Sequence, residues 1–148
     1  MPDRGPDRDG AAAAGAAESR LIAAAAEARR RAYAPYSRFA VGAAVLAGGR
    51  IYSGANVENA SYGLSICAER SAVFAAVGAG ERRIEAVAVV TDTPAPTPPC
   101  GACRQVLNEF GPRMTVLSAT LAGAVTRTNL SDLLPASFGP ESLPDRVQ

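Results

Sequence analysis

From Phe39 onward apolar side chains recur at every second position, at Val41, Ala43 and Val45, until Gly48 and Gly49 interrupt them and Ile51 and Tyr52 resume. A period of two broken by paired glycines predicts a β-hairpin. Residues 67–77 abandon that period. Good helix formers there carry apolar residues on most sides until Gly78 and Gly80, which predicts a buried helix. The run IEAVAVVT over 84–91 is almost continuously apolar, as expected for a short strand covered on both faces. Prolines 94, 96, 98 and 99 then forbid a helix before Cys100, so the next one has to begin at the second cysteine pair. Two further strands are predicted in RMTVLSA and AVTRTN, and a short helix in NLSDLLP with Asn129 or Ser131 as its cap.

Ahead of the hairpin, residues 18–32 are rich in alanine, with Leu21 and Ile22 as anchors, and the helix they predict ends before Pro35. Arg29, Arg30 and Arg31 suit the negative end of its dipole and read as solvated charges. Residues 1–15 offer no bulky side chain to bury and are expected to form a disordered tail, with a second tail over 141–148. Helix, two strands, helix, strand, helix, two strands and helix make an α/β protein. The expected architecture is a three-layer α/β/α sandwich with a mixed five-stranded sheet, one domain over 16–140.

Composition narrows the partners. Fifteen basic residues, all arginine, face fourteen acidic ones in 148 residues, and a net charge of +1 gives no footprint for duplex nucleic acid or an acidic membrane. No stretch approaches the roughly 18 apolar residues of a membrane span, and MPDRGPDRDG lacks the apolar run of a signal peptide. A cytoplasmic setting is expected, in which three cysteines are metal ligands or nucleophiles and not disulfides.

Those cysteines are placed where helices begin. Cys100 and Cys103 sit three apart at the start of one predicted helix and Cys67 opens another, so first-turn N–H groups and helix dipoles favour their thiolates. With no histidine in the chain, three thiolates around zinc leave the fourth tetrahedral position open, the catalytic arrangement. Such chemistry needs an acid/base that is not a ligand, and Glu69 is the candidate. Residues two apart face opposite sides of a helix interior, so Cys67 and Glu69 cooperate only if Cys67 occupies the turn before the helix. Arg70, Arg104 and Gln105 are expected around the thiolates, where a cation offsets the excess negative charge.

Cys-Ala-Glu followed 30 residues after its glutamate by Pro-Cys-x-x-Cys at a second helix resembles the signature of zinc deaminases. YAPYSRFAVGAAV, NVENASYG, CAERSAVFAA, PCGACRQVLNEF and DLLPASFGP resemble, in order, segments of the small zinc-dependent cytidine deaminases of pyrimidine salvage, the homotetrameric three-cysteine kind. The resemblance covers about residues 18–140; the hairpin turn AGG is shorter than is common in that family. It implies the cytidine deaminase-like fold, one Zn2+ per subunit on Cys67, Cys100 and Cys103, and hydrolysis of cytidine and deoxycytidine to uridine and deoxyuridine with release of ammonia. It further implies that zinc-bound hydroxide attacks C4 while Glu69 shuttles protons. Asn56 and Glu58 would hold the ribose hydroxyls, Phe39 would flank the base, and the backbone at Ala68 and Pro99 would meet the base edge. Tyr62 and Phe138 would act across a subunit interface in composite sites.

Each residue also has a plainer reading. Phe39 is in phase with Val41 as ordinary core, Asn56 and Glu58 suit a turn, and Tyr62 and Phe138 suit packing. A spare carboxylate near a ribose accepts two hydroxyls and repels phosphate, which favours a free nucleoside. One rival function is a blasticidin S deaminase-like aminopyrimidine hydrolase. Another is a polynucleotide base editor, disfavoured by the absence of tryptophan and the low charge. A third is a non-catalytic module held together by zinc, which has no need of Glu69.

Overall fold

The computed structural model describes residues 8–144. Helix α1 spans Arg8–Arg29, hairpin strands β1 and β2 span Val41–Ala47 and Arg50–Ala55, and α2 spans Ala68–Gly78. After β3 (Ala86–Thr91) come α3 (Gly101–Phe110), β4 (Thr115–Thr120), β5 (Val125–Asn129) and the short α4 (Leu130–Leu133). The five strands form one sheet in the order β2-β1-β3-β4-β5. Only β3 and β4 run parallel, joined by the crossover through α3. The mixed sheet is the expected one.

The hairpin carries more than its alternation implied. Val41, Ala43, Val45 and Ala47 pack with Ala72, Val73 and Ala76 of α2, Leu107 of α3 and Leu130 of α4. The intervening Ala44, with Leu46, meets Leu21 and Ala25 of α1 on the other face. Helices on both sides bury β1 almost throughout, as they do β3. Small residues set the layer spacing. A Cβ on Gly42 would collide with the Ala25 carbonyl and the Arg29 backbone, so α1 lies directly on the strand. On the opposite face Gly54 leaves room for Ser71 and Ala72 of α2. Gly48 and Gly49, at φ +57° and +74°, make the turn that L residues resist.

The N-terminal helix differs from expectation. The disordered tail expected over 1–15 gives way to helix at Arg8, ten residues before the predicted start at Glu18. Gly10 to Ala16 are exposed, so burial gives the sequence no signal there; the alanine run has the highest intrinsic helix propensity and extends the packed part of α1 backward. Residues 1–7 and 145–148, the remainder of the two expected tails, lie outside the described residues. Among those described, no helix is long and apolar enough to cross a membrane.

Candidate active site

Both metal-ligand helices begin as their sequences require. Cys67 is the N-cap of α2, with extended backbone at φ −70° and ψ 155°, and Cys100 is the N-cap of α3 at φ −66° and ψ 167°. With Cys67 at this non-helical cap, Cys67 and Glu69 line the same cleft, the condition the spacing demanded. Cys103, one turn into α3, is fully buried. The three sulfurs lie within 4.8 Å of one another, and those of Cys67 and Cys100 are 3.8 Å apart.

That donor set fits zinc. Tetrahedral zinc with bonds of about 2.3 Å to sulfur places its sulfurs about 3.8 Å from each other. Electrostatics prepare the thiols unequally. Hydrogen bonding from Cys103, then from Arg70 and Cys100, lowers the Cys67 thiol to about 5 in spite of partial burial. Cys103 moves the other way, because it donates to Cys67 and is buried next to the Glu69 carboxyl. Arg70 donates from Nη2 to Cys67 Sγ at 3.3 Å, while its buried Nε has no hydrogen-bond partner among the described residues. Glu69 is only 4% exposed, and its burial raises its pKa above the ordinary carboxylate range.

The other two residues expected around the thiolates are elsewhere. Arg104 spends Nε on the Pro99 carbonyl at 2.8 Å and Nη1 on the Leu133 carbonyl at 2.9 Å, and Gln105 donates to the Phe138 carbonyl at 2.9 Å. Backbone carbonyls at a tight junction outcompete the sulfurs for these donors, because unpaired they would be costly.

Cys67 and Cys100 open onto a cleft of about 230 Å³, with Cys103 buried beside them. Phe39, Asn56, Glu58, Cys67, Ala68, Glu69 and Cys100 line it together. Asn56 Oδ1 accepts from the Val41 N–H and Nδ2 donates to the Phe39 carbonyl, both at 2.8 Å, so it ties the start of β1 to the chain after β2. Glu58 Oε1 accepts the N–H groups of Tyr36 at 2.9 Å and Ser37 at 3.1 Å. The Ser37 hydroxyl first, then these N–H groups, hold Glu58 below the usual carboxylate range. Pro99 is buried and does not line the cleft, whereas the neighbouring Pro98 does. Tyr62 and Phe138, 74% and 62% exposed, are outside the cleft. Tyr62 borders an adjoining groove and stacks obliquely on Tyr36, ring centres 5.5 Å apart.

Besides the strand residues Val41 and Val89, the sequence reading missed Ser37, Thr91, Thr97 and Pro98 in the lining. Thr91 had a signal, a hydroxyl ending an otherwise apolar strand; the others had none.

Comparison with known proteins agrees with this geometry. The cytidine and deoxycytidylate deaminase zinc-binding region matches residues 16–119. A cytidine deaminase of Halalkalibacterium halodurans is 52% identical over 127 residues, covering 84% of this chain and 96% of that protein. One from Mycobacterium tuberculosis is 46% identical over 121 residues, covering 81% and 88%. The crystal structure of a Burkholderia pseudomallei cytidine deaminase superposes with a TM-score of 0.79 at 52% identity, covering 81% of this chain and 98% of that one.

Proposed function

The chain belongs to the cytidine and deoxycytidylate deaminase family, zinc-dependent hydrolases, and we propose that it converts cytidine and deoxycytidine to uridine and deoxyuridine with Glu69 carrying the protons. The observation that supports this reading is a cluster of three cysteine sulfurs, two of which, Cys67 and Cys100, line one cleft together with the buried carboxylate of Glu69. Cys67, Cys100 and Cys103 would hold the zinc, which would supply the activation of a water for attack at C4.

The chain's own residues divide the remaining work. Glu69, with its proton affinity raised by burial, takes the water proton, places it on N3 and later delivers a proton to the departing 4-amino group. Water adds and ammonia leaves, so the balance closes. Phe39 packs on the base and the Ala68 backbone meets its edge. The backbone at Pro99, next to Pro98 of the lining, is the second expected contact with that edge. Asn56 keeps one amide N–H beyond its two backbone bonds, and Glu58 keeps the oxygen not used by Tyr36 and Ser37, for the ribose hydroxyls. An ionised Glu58 beside the ribose would repel a phosphate, which favours a free nucleoside as substrate.

The exposed rings of Tyr62 and Phe138 support an assembly in which neighbouring copies complete each other's clefts, a homotetramer acting in the cytoplasm. The unit responsible is read as residues 16–140, with 141–148 as its C-terminal tail. Ammonia release from cytidine by zinc-replete protein tests the reaction. Turnover in the parent that disappears in zinc-loaded Glu69→Ala is expected; no turnover from cytidine or deoxycytidine in the zinc-replete parent would overturn it.

A further inference from the structure

Between the last residue of β3 and the first metal ligand of α3 the chain crosses eight residues, 92–99, four of them proline. Proline has no N–H to give. Among the described residues, no backbone N–H or C=O of this segment pairs with another backbone group. Its ends are nevertheless demanding. Pro98 forms the wall of the cleft, and Cys100 has to stand 3.8 Å from Cys67. Something other than the main chain fixes it.

Side chains do so at two points. At the far end Arg104 Nε holds the Pro99 carbonyl at 2.8 Å. At the near end three threonine hydroxyls converge. Thr93 Oγ1 is 2.7 Å from the Ala95 carbonyl and 2.7 Å from Thr91 Oγ1, and Thr97 Oγ1 lies 3.3 Å from Thr93 and 3.4 Å from Thr91. Each hydroxyl has a single hydrogen. A carbonyl only accepts, so the Thr93 hydrogen goes to Ala95, and the short contact with Thr91 requires Thr91 to donate. Both strong bonds therefore pass through Thr93. The contacts of Thr97 are long for O–H···O bonds, which leaves its hydrogen free to turn between Thr93 and the cleft it lines. Thr91 is 1% exposed and its carbonyl accepts the Leu121 N–H at 3.0 Å, so this end of the knot is anchored in the sheet.

We propose that the Thr91–Thr93–Thr97 hydroxyl knot positions the proline segment, and through it the Pro98 wall and the Cys100 ligand. Thr93 is its centre and does not line the cleft, so it acts as a positioning residue through Thr91, Thr97 and Ala95. The consequence for cytidine rests on the reaction proposed above; the consequence for metal retention does not.

Thr93→Val keeps the shape and removes the hydroxyl, while Thr93→Ser restores the hydroxyl without the methyl. Losing the two strong bonds is expected to raise KM for cytidine about three- to tenfold with kcat nearly unchanged, and to speed zinc release to a chelator by a similar factor. Thr93→Ser is expected to match the parent in both. The proposal is overturned if either readout of Thr93→Val stays at the parent value, or if Thr93→Ser shows the same defects. A parent inactive on cytidine would remove the proposed reaction, and zinc release would then decide the knot by itself.

Discussion

Arg70 Nη2 lies 3.3 Å from Cys67 Sγ, one helical turn along α2, so the cation that favours the thiolate is supplied by the helix that the thiolate caps. With zinc bound, this bond would offset the surplus negative charge of three thiolates around one dication. Replacing Arg70 by Gln removes the charge and leaves a shorter polar group that does not extend as far as Nη2. Zinc affinity is expected to fall about ten- to a hundredfold, as outer-shell partners of metal ligands typically show. Competition against a coloured zinc chelator measures it, and unchanged affinity would mean that the contact does not support the metal.

Glu69→Gln preserves volume and hydrogen bonding at a position only 4% exposed but cannot cycle a proton. The expected outcome is full zinc content, an unchanged melting temperature within a degree or two, and kcat lowered by about 10²–10⁴-fold. Metal analysis beside an ammonia assay distinguishes this from simple loss of zinc.

Zinc binding is expected to depend on pH in a specific direction. In the metal-free protein Cys67 titrates at about 5, so at neutral pH it is already a thiolate, whereas Cys103 is raised and keeps its proton. Zinc must displace that proton, so affinity falls as pH falls, and falls more steeply below about 5 where Cys67 takes up a proton as well. A pH indicator in weak buffer at pH 7 should register at least one proton released per zinc from Cys103. No release would contradict a protonated Cys103.

Ser37 joins two substrate residues: its Oγ accepts the Phe39 N–H at 3.0 Å, and its hydroxyl is the leading cause of the lowered Glu58 pKa. Because the folded-state value is depressed, Glu58 stays ionised as pH falls below the ordinary carboxylate range. Ser37→Ala is expected to raise KM about three- to tenfold, from the lost hydrogen bonds, with kcat little changed. Its acid-side rise in KM should also begin at higher pH than in the parent. An acid limb that does not move would leave the serine a purely structural role.

Much of this arrangement was legible from residue order. Four prolines before Cys100 left α3 one place to start, and a carboxylate two residues after Cys67 made sense only with Cys67 as a cap, where it is found. The hairpin turn and the nearly continuous apolar β3 likewise announced themselves. What stayed hidden depends on neighbours distant in the chain. The exposed first turns of α1 carry no apolar period, only alanine propensity. Arg104 stands immediately after a cysteine, yet its guanidinium reaches Leu133 in α4, a contact no local pattern encodes. Thr93 and Thr97 are unremarkable in sequence; they matter here because their hydroxyls meet each other and that of Thr91 in the folded chain.

Where a side chain on Gly54 would begin, Ala72 N is 2.6 Å away and Ser71 Cβ 2.7 Å away. The height of α2 over the sheet is thus set by an atom that glycine lacks, on an edge strand that has no part in the chemistry. Cys67 and Glu69 ride at the front of that helix. A methyl added at Gly54 would tilt the whole helix as a lever, so its damage would register in the fit between metal ligand and proton carrier before it registered in unfolding. The most permissive-looking margin of the sheet is, at this one position, a calibration point for the reaction.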